Sequence, residues 1–360
     1  VGRGVSTGAQ PSQPDRVPGA VAEEPSGYRQ LLASQHRPEP QQEAAPWAVT
    51  VFAGSEGDRI AECLASIHHG LQDRTALLTV VVNGARDHTA ARAAEAIAEL
   101  DWQDAEVAEI PWGDKANAWN QYVYGLRRPA AWHLFVDGYL VLDPDGLEGM
   151  VERLAAQPPQ RAATGVPAGD NPGSRHMRHF VHSHGGILGG LHALRGDLLE
   201  EIVARRLLIP WGLYRGDGLI GSFACHDLDP LHNPWDRNRV LVCDDARWYG
   251  RRPSPLSPQD LARHARRTIR QAQGRMENRA IRQIIFQANY EGLPESAAEL
   301  IGLARTLGPA ENERGALRRG LRYLAARRAG RRTLPTSTHL LPTLRYSHPS
   351  ERPPGRFRDV

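Results

Sequence analysis

The chain has 360 residues, 41% of them hydrophobic and 24% charged, with a formal net charge of +3. That length holds one large domain or two ordinary ones with ample core, and the composition is that of a globular protein. So small a net charge excludes a general nucleic-acid binder, no apolar run reaches the length of a membrane span, and Cys63, Cys225 and Cys243 make no CxxC pair and no disulfide framework.

Residues 1–46 are rich in Pro, Gln, Gly and Ala and carry no periodicity, so they read as a disordered or loosely attached arm. The opening lacks the apolar core of a signal peptide, and a cytoplasmic chain is expected, with peripheral membrane contact left open. From Trp47 the pattern changes to alternating strands and helices. "AVTVFAG" is a short apolar run followed by helical "DRIAECLASIHHGL", and "ALLTVVVNG" is followed by helical "HTAARAAEAIAEL". "AEVAEIPW" precedes helical "KANAWNQYVYGLRR", and "AWHLFVDG" precedes "PDGLEGMVERLAAQ", where Pro144 suits a first turn. Four such units in succession predict a mainly parallel sheet covered by helices, with ligands outside the carboxyl ends of the strands. No GxGxxG follows the first strand and no GxxxxGK[ST] occurs, which excludes the usual dinucleotide and P-loop phosphate cradles.

Beyond residue 160 the alternation breaks down. "RAATGVP", "GGILGGLHALRGDLLEEI" and "RVLVCDDARWYG" suggest further strands, the second of them leading into a helix. Residues 257–330 read as a helical, arginine-rich region and 331–360 as an extended tail. The basic runs read first as solvated helix faces, with an anion-binding flank for a phosphate or an acidic membrane surface as the functional alternative.

The 44 lysine and arginine residues include a single lysine, Lys115. A bias towards arginine explains the arginines but not the one survivor. Lysine is a compact point charge and arginine a planar fork, so some sites accept only the former. That makes Lys115 a functional candidate independent of any motif.

The strand ends together resemble the family 2 glycosyltransferases, inverting enzymes of the GT-A nucleotide-sugar fold. "VTVFAGSEGDRIAECLASI" resembles the family's opening strand and acidic turn, with Glu56 at the acidic position. "VVVNGARDHTAARAA" resembles its Asp-Gly-Ser-x-Asp-x-Thr turn, with Asn83 in place of the aspartate. "GDKANAWNQY" resembles the Gly-Lys-Ala-x-Ala-x-Asn segment, with Lys115 and Asn120 in register. "HLFVDGYLVLDPDGL" resembles the strand with the Asp-x-Asp metal motif, "GGILGGLHALRGDLL" the acceptor-side segment, and "LYRGDGLIGSFA" the segment of the catalytic base. "RVLVCDDARWYGRRPSPLSPQDLARHARRTIRQAQGR" resembles the closing strand and the basic helix.

The resemblance implies an α/β GT-A domain over 47–256 that moves a sugar from a nucleotide-diphospho-sugar, a UDP-sugar in the first instance, to an acceptor hydroxyl. Asp217 is implied as general base. Glu56, Asn83, Lys115, Asn120, Asp137 and Tyr139 are implied at the nucleotide-sugar, and Trp211, Tyr214 and His184 on the acceptor side. The family binds Mg²⁺ or Mn²⁺ through two aspartates and a later histidine. Here Asp137 remains, Tyr139 stands at the second aspartate and Gly250 at the histidine, so a metal is expected to be weakly held or dispensed with. Arg215, Arg251 and Arg252 are then candidates for the diphosphate, since guanidinium forks suit phosphate oxygens.

Asp143 and Asp145 read more simply as a helix start. His176, His179, His182 and His184 could form a zinc site, although one segment does not easily present all four; an acceptor-side wall or a mobile loop is the plainer expectation. The rival reading is a non-catalytic nucleotide-sugar-binding or scaffold protein that keeps the fold. A nucleotidyltransferase is disfavoured because "FAGSEGDR" lacks a Gly-rich, Arg-bearing first loop.

Overall fold

The computed structural model describes residues 27–35, 45–71, 74–156, 160–250, 258–308, 316–330, 334–335 and 337–347. Three βα units and a fourth strand come first, in the order the alternation predicts. They are β1 (Ala45–Ala53), α2 (Ile60–Leu71), β2 (Leu77–Asn83), α3 (Thr89–Glu99), β3 (Ala105–Ile110), α4 (Lys115–Gln121) and β4 (Ala130–Asp137), with α1 (Gly27–Ala33) before them. Strands β1, β2, β3 and β4 pair in parallel. Buried on both faces, β1, β2 and β4 read as near-continuous apolar runs, whereas β3 carries Glu106 and Glu109 among its apolar residues.

The second half adds β5 (Val141–Leu142), α5 (Gly146–Ala156), β6 (Ala162–Pro167), α6 (Pro172–His184), β7 (Leu191–Arg195), α7 (Gly196–Ala204), α8 (Gly216–Cys225) and β8 (Val240–Tyr249). Strand β7 runs antiparallel to β4 and to β6, and the described strands form one sheet in the order β5-β8-β6-β7-β4-β1-β2-β3-β9, where β9 is Thr343–Ser347. Helices α2, α3 and α5 close one face over Ile60, Leu64, Ile97 and Met150. The other face is covered by α4, α7 and α8, together with α9 (Pro258–Ala288), α10 (Ala297–Thr306) and α11 (Ala316–Ala329). Met276, Ile281, Leu300 and Ala325 belong to the same core cluster as Trp119, Leu198 and Phe223. The arginine-rich helices therefore share the sheet's own core.

Two terminal segments differ from the sequence expectation. Within the stretch 1–46, α1 is a docked helix: Tyr28 and Leu32 are buried, and Arg29 bonds the carbonyls of Leu293 and Arg206 and pairs with Glu295. Residues 1–26 and 36–44 of that stretch lie outside the described residues. Within the tail 331–360, α12 (Ser337–Leu340) leads into β9 (Thr343–Ser347), which pairs antiparallel with β3 and covers that edge of the sheet. Its residues are mostly exposed and polar, so periodicity hides it. Ending the chain at Leu341 uncovers the β3 edge; concentration-dependent self-association, read by light scattering, is the expected result.

Candidate functional site

The carboxyl ends of β1, β2, β3 and β4 lie side by side, and their loops are tied to one another. Arg86 N–H donates to Ser55 Oγ at 3.0 Å, Gly57 N–H to Asp87 Oδ2 at 3.1 Å, and Glu56 N–H to Thr89 Oγ1 at 2.9 Å. Gly84 has φ +61°, and a Cβ there would stand 2.3 Å from Gly113 Cα, so the loops after β2 and β3 meet backbone to backbone where only glycine fits. The result is a rigid rim made from three loops distant in sequence.

On this rim Asn83 donates its amide to Ala53 O at 2.8 Å, and the Glu56 carboxylate accepts from the Gly54 N–H. Burial, joined by the charges of Asp137, Asp87 and Asp58, raises the Glu56 carboxyl above its usual range. Asp87 goes the other way: burial is the largest single effect and would raise it, but the hydrogen bonds from the Thr89 hydroxyl and from the N–H groups of Gly57 and Thr89 together outweigh it and lower the carboxyl.

Lys115 is the first residue of α4, where Asp114 caps the helix by accepting from Asn117 N–H. Its ammonium is ion-paired with Asp137 Oδ1 and lies 3.4 Å from the carbonyl oxygen of Gly189. Tyr139 donates its hydroxyl to the other oxygen, Asp137 Oδ2, at 3.2 Å. The charge of Asp137, with burial second, pushes the Tyr139 phenol far up, so it remains a protonated donor. The ring of Tyr139 borders Gly250, where a Cβ would come 3.8 Å from Cε2. The two positions that depart from the implied metal set are thus neighbours in space, and an aromatic ring abuts the place of the expected imidazole.

Asp217 enters from the first turn of α8. A Cβ on Gly189 would stand 3.1 Å from Asp217 Oδ2, so the carboxylate packs against the residue whose carbonyl faces Lys115. Burial raises the Asp217 carboxyl above its ordinary range, opposed by Lys115 and the Gly218 N–H and assisted by Asp137. Beneath Lys115 the sheet presents stacked rings from three strands: Phe52 against Phe135 at 6.1 Å, and Phe135 against His192 at 5.0 Å. Burial, followed by the Lys115 charge, pushes His192 down to about 3. The floor of the site is therefore uncharged.

Several expected residues lie elsewhere. Asn120 is fully buried; its amide donates to Tyr28 Oη and Ile209 O and accepts from Ile209 N–H, so both donors are spent inside the protein and no surface is open to a ligand. It fixes the chain before α8 instead. Trp211 is buried against Trp112 at 5.6 Å, with its backbone bonded to Glu295 and Ala297, which makes it core rather than an acceptor platform. Tyr214 and Arg215 face α9: Arg270 lies over the Tyr214 ring at 5.3 Å, and Arg215 bonds Gln271 while acting on the charge of Asp217. The histidine segment is helix α6, not a mobile loop. There His184 stacks on Phe180 at 4.8 Å, and His182 bonds Asp244 at 2.8 Å. Arg251 and Arg252 lie outside the described residues.

One contributor was missed from the sequence. Arg267 on α9 is close enough for its charge to act on Tyr139. It lies in a run of arginines, and nothing in the run singles it out.

Among the described residues no group of three His, Cys, Asp or Glu side chains is placed to hold a metal ion, which includes the four histidines of the candidate zinc site. Asp137 already spends one oxygen on Lys115 and the other on Tyr139. A hard divalent cation seeks several oxygen ligands, and a single engaged carboxylate does not fit that demand.

The architecture is the GT-A fold, a mainly parallel sheet flanked by helices with its site at the strand ends. No protein-family model matches the chain, and no curated protein does either. Among solved structures, mannosyltransferase PcManGT from Pyrobaculum calidifontis, in complex with GDP-Man and Mn²⁺, superposes with a TM-score of 0.50 at 17% identity, over 84% of this chain and 93% of its own. TarS from S. aureus with UDP-GlcNAc gives 0.45 at 14% identity, over 78% and 79%. Glucosyl-3-phosphoglycerate synthase from Mycobacterium tuberculosis with Mn²⁺ and UDP-Glc gives 0.43 at 19% identity, over 66% and 83%. At these identities the likeness is one of fold.

Proposed function

We propose that the protein is an inverting glycosyltransferase that takes a sugar from a nucleotide-diphospho-sugar and adds it to an acceptor hydroxyl. The observation that carries the reading is the meeting of Lys115, Asp137 and Asp217 at the strand ends of a GT-A sheet. Glu56 and Asn83 border the nucleotide, and Asp137 stands at the diphosphate and sugar. A carboxylate raised by burial is a stronger base than an exposed one, and Asp217 has that property where an acceptor can reach it. The acceptor O–H gives its proton to Asp217 as its oxygen bonds the anomeric carbon. The bond to the departing phosphate breaks, and the nucleoside diphosphate leaves with the electron pair. The solved mannosyltransferase, which also binds a nucleotide-diphospho-sugar, supports this donor class.

Calorimetric titration with UDP, GDP, dTDP and their common sugars tests the donor assignment; one nucleotide family binding in preference to the others is expected. An NMR assignment of the anomeric configuration of the product tests inversion. Silence in every titration sinks the reading, and binding without turnover favours the scaffold rival.

A further inference from the structure

We infer that the ammonium of Lys115 is the resident cation of the donor site, held by Asp137 and Tyr139 where a divalent ion would otherwise stand, so that the donor's diphosphate binds without metal. The inference rests on the reading of the site as a nucleotide-diphospho-sugar site and specifies how that site handles charge.

Three observations meet on it. The first is chemical: Glu56, Asp87, Asp137 and Asp217 place several carboxylates around one small rim, and a diphosphate cannot approach them unless a cation intervenes. The second is geometric. Asp137 directs one oxygen to Lys115 and receives the Tyr139 hydroxyl on the other, so the carboxylate that would ligate a metal is committed on both sides. Of the N–H donors on the ammonium, one goes to Asp137 and one to the Gly189 carbonyl, which leaves a donor for a phosphate oxygen. With its side chain 49% exposed, Lys115 is open to an incoming ligand. The third is compositional, since the only lysine of the chain occupies this point. A planar guanidinium needs room for its fork, whereas the space between Asp137 and Gly189 accepts a compact charge.

The Lys115–Asp137 pair is neutral as a unit, so its part is directional: Asp137 holds the ammonium and the ammonium holds the phosphate. Further positive charge comes from Arg267 of α9, whose charge acts on Tyr139, and from Arg215, whose charge acts on Asp217 and whose side chain bonds Gln271 of α9.

The test is titration of the full chain with UDP, GDP and dTDP, and with uridine, guanosine and thymidine, in excess chelator and again in Mn²⁺. The nucleotide that binds is expected to do so with the same affinity, within about twofold, in both buffers. Lys115→Met is expected to weaken that nucleoside diphosphate by about tenfold or more while leaving the parent nucleoside unchanged, a split that a merely structural role would not produce. Nucleotide binding that is lost in chelator overturns the inference while the glycosyltransferase reading stands. So does a Lys115→Met protein that binds the diphosphate as the wild type does, or that loses nucleoside and diphosphate alike. If none of the nucleotides binds in either buffer, both fall together.

Discussion

Asp217→Asn is expected to lower turnover by about 10²–10⁴-fold, the usual worth of a positioned general base, while nucleotide affinity stays near that of the wild type. Asparagine keeps the shape of the side chain beside Gly189 and the contact with the Gly218 N–H, but cannot take the acceptor's proton. Release of nucleoside diphosphate in the presence of acceptor measures the first effect, and calorimetry the second. A variant with wild-type turnover would remove Asp217 from the mechanism.

The same raised carboxyl fixes the pH dependence. The base must be ionised, so kcat/KM falls on the acid side, and the limb lies above the ordinary carboxylate range because burial raises Asp217. The consequence for stability has the opposite sense. A carboxyl raised in the folded state costs nothing below its unfolded pKa, and its penalty grows as pH climbs through the window between the unfolded and folded values. Asp217→Asn is therefore expected to melt at a higher temperature than wild type at neutral pH, with the advantage vanishing in acid. A functional carboxylate held against its own solvation is a source of instability that the surrounding fold offsets.

What the sequence disclosed depended on how local each signal was. Strands β1, β2 and β4 were legible because burial on both faces writes itself as an apolar run, β3 because it falls between two helical patterns, and the helices because amphipathic spacing is repeated over several turns. Strand β9 was not, since an exposed edge strand needs no apolar pattern, and its partner β3 lies more than two hundred residues away. Lys115 stood out by composition alone, and the structure pairs it with Asp137. Asn120 shows the converse: an asparagine in a recognisable segment looks the same whether its amide faces a ligand or, as here, Tyr28 and Ile209. Arg267 was hidden among like residues, because only the course of α9 across the site separates it from its neighbours.

The terminal helix α1 yields the other large effect. Tyr28→Ala is expected to destabilise the fold by about 3–5 kcal/mol, the range for emptying a buried aromatic site. Tyr28 is 1% exposed, and its hydroxyl donates to Asn117 Oδ1 at 2.9 Å while accepting from Asn120 Nδ2 at 3.0 Å. Both partners lie on α4, the helix that begins with Lys115. Asn117 also donates to Leu340 O at 3.0 Å, so a segment from each end of the described chain braces the same short helix. Tyr28→Phe separates packing from bonding: the ring stays, one buried amide donor and one acceptor lose a partner, and a smaller loss of about 1–3 kcal/mol is expected. Chemical denaturation of both variants gives the two numbers, and nucleotide titration of Tyr28→Phe supplies the functional readout. Weaker diphosphate binding in a protein that is still folded would mean that the brace sets the position of the Lys115 ammonium. Unchanged binding would confine the role of α1 to stability, because a helix that shifted with its brace would carry the lysine with it.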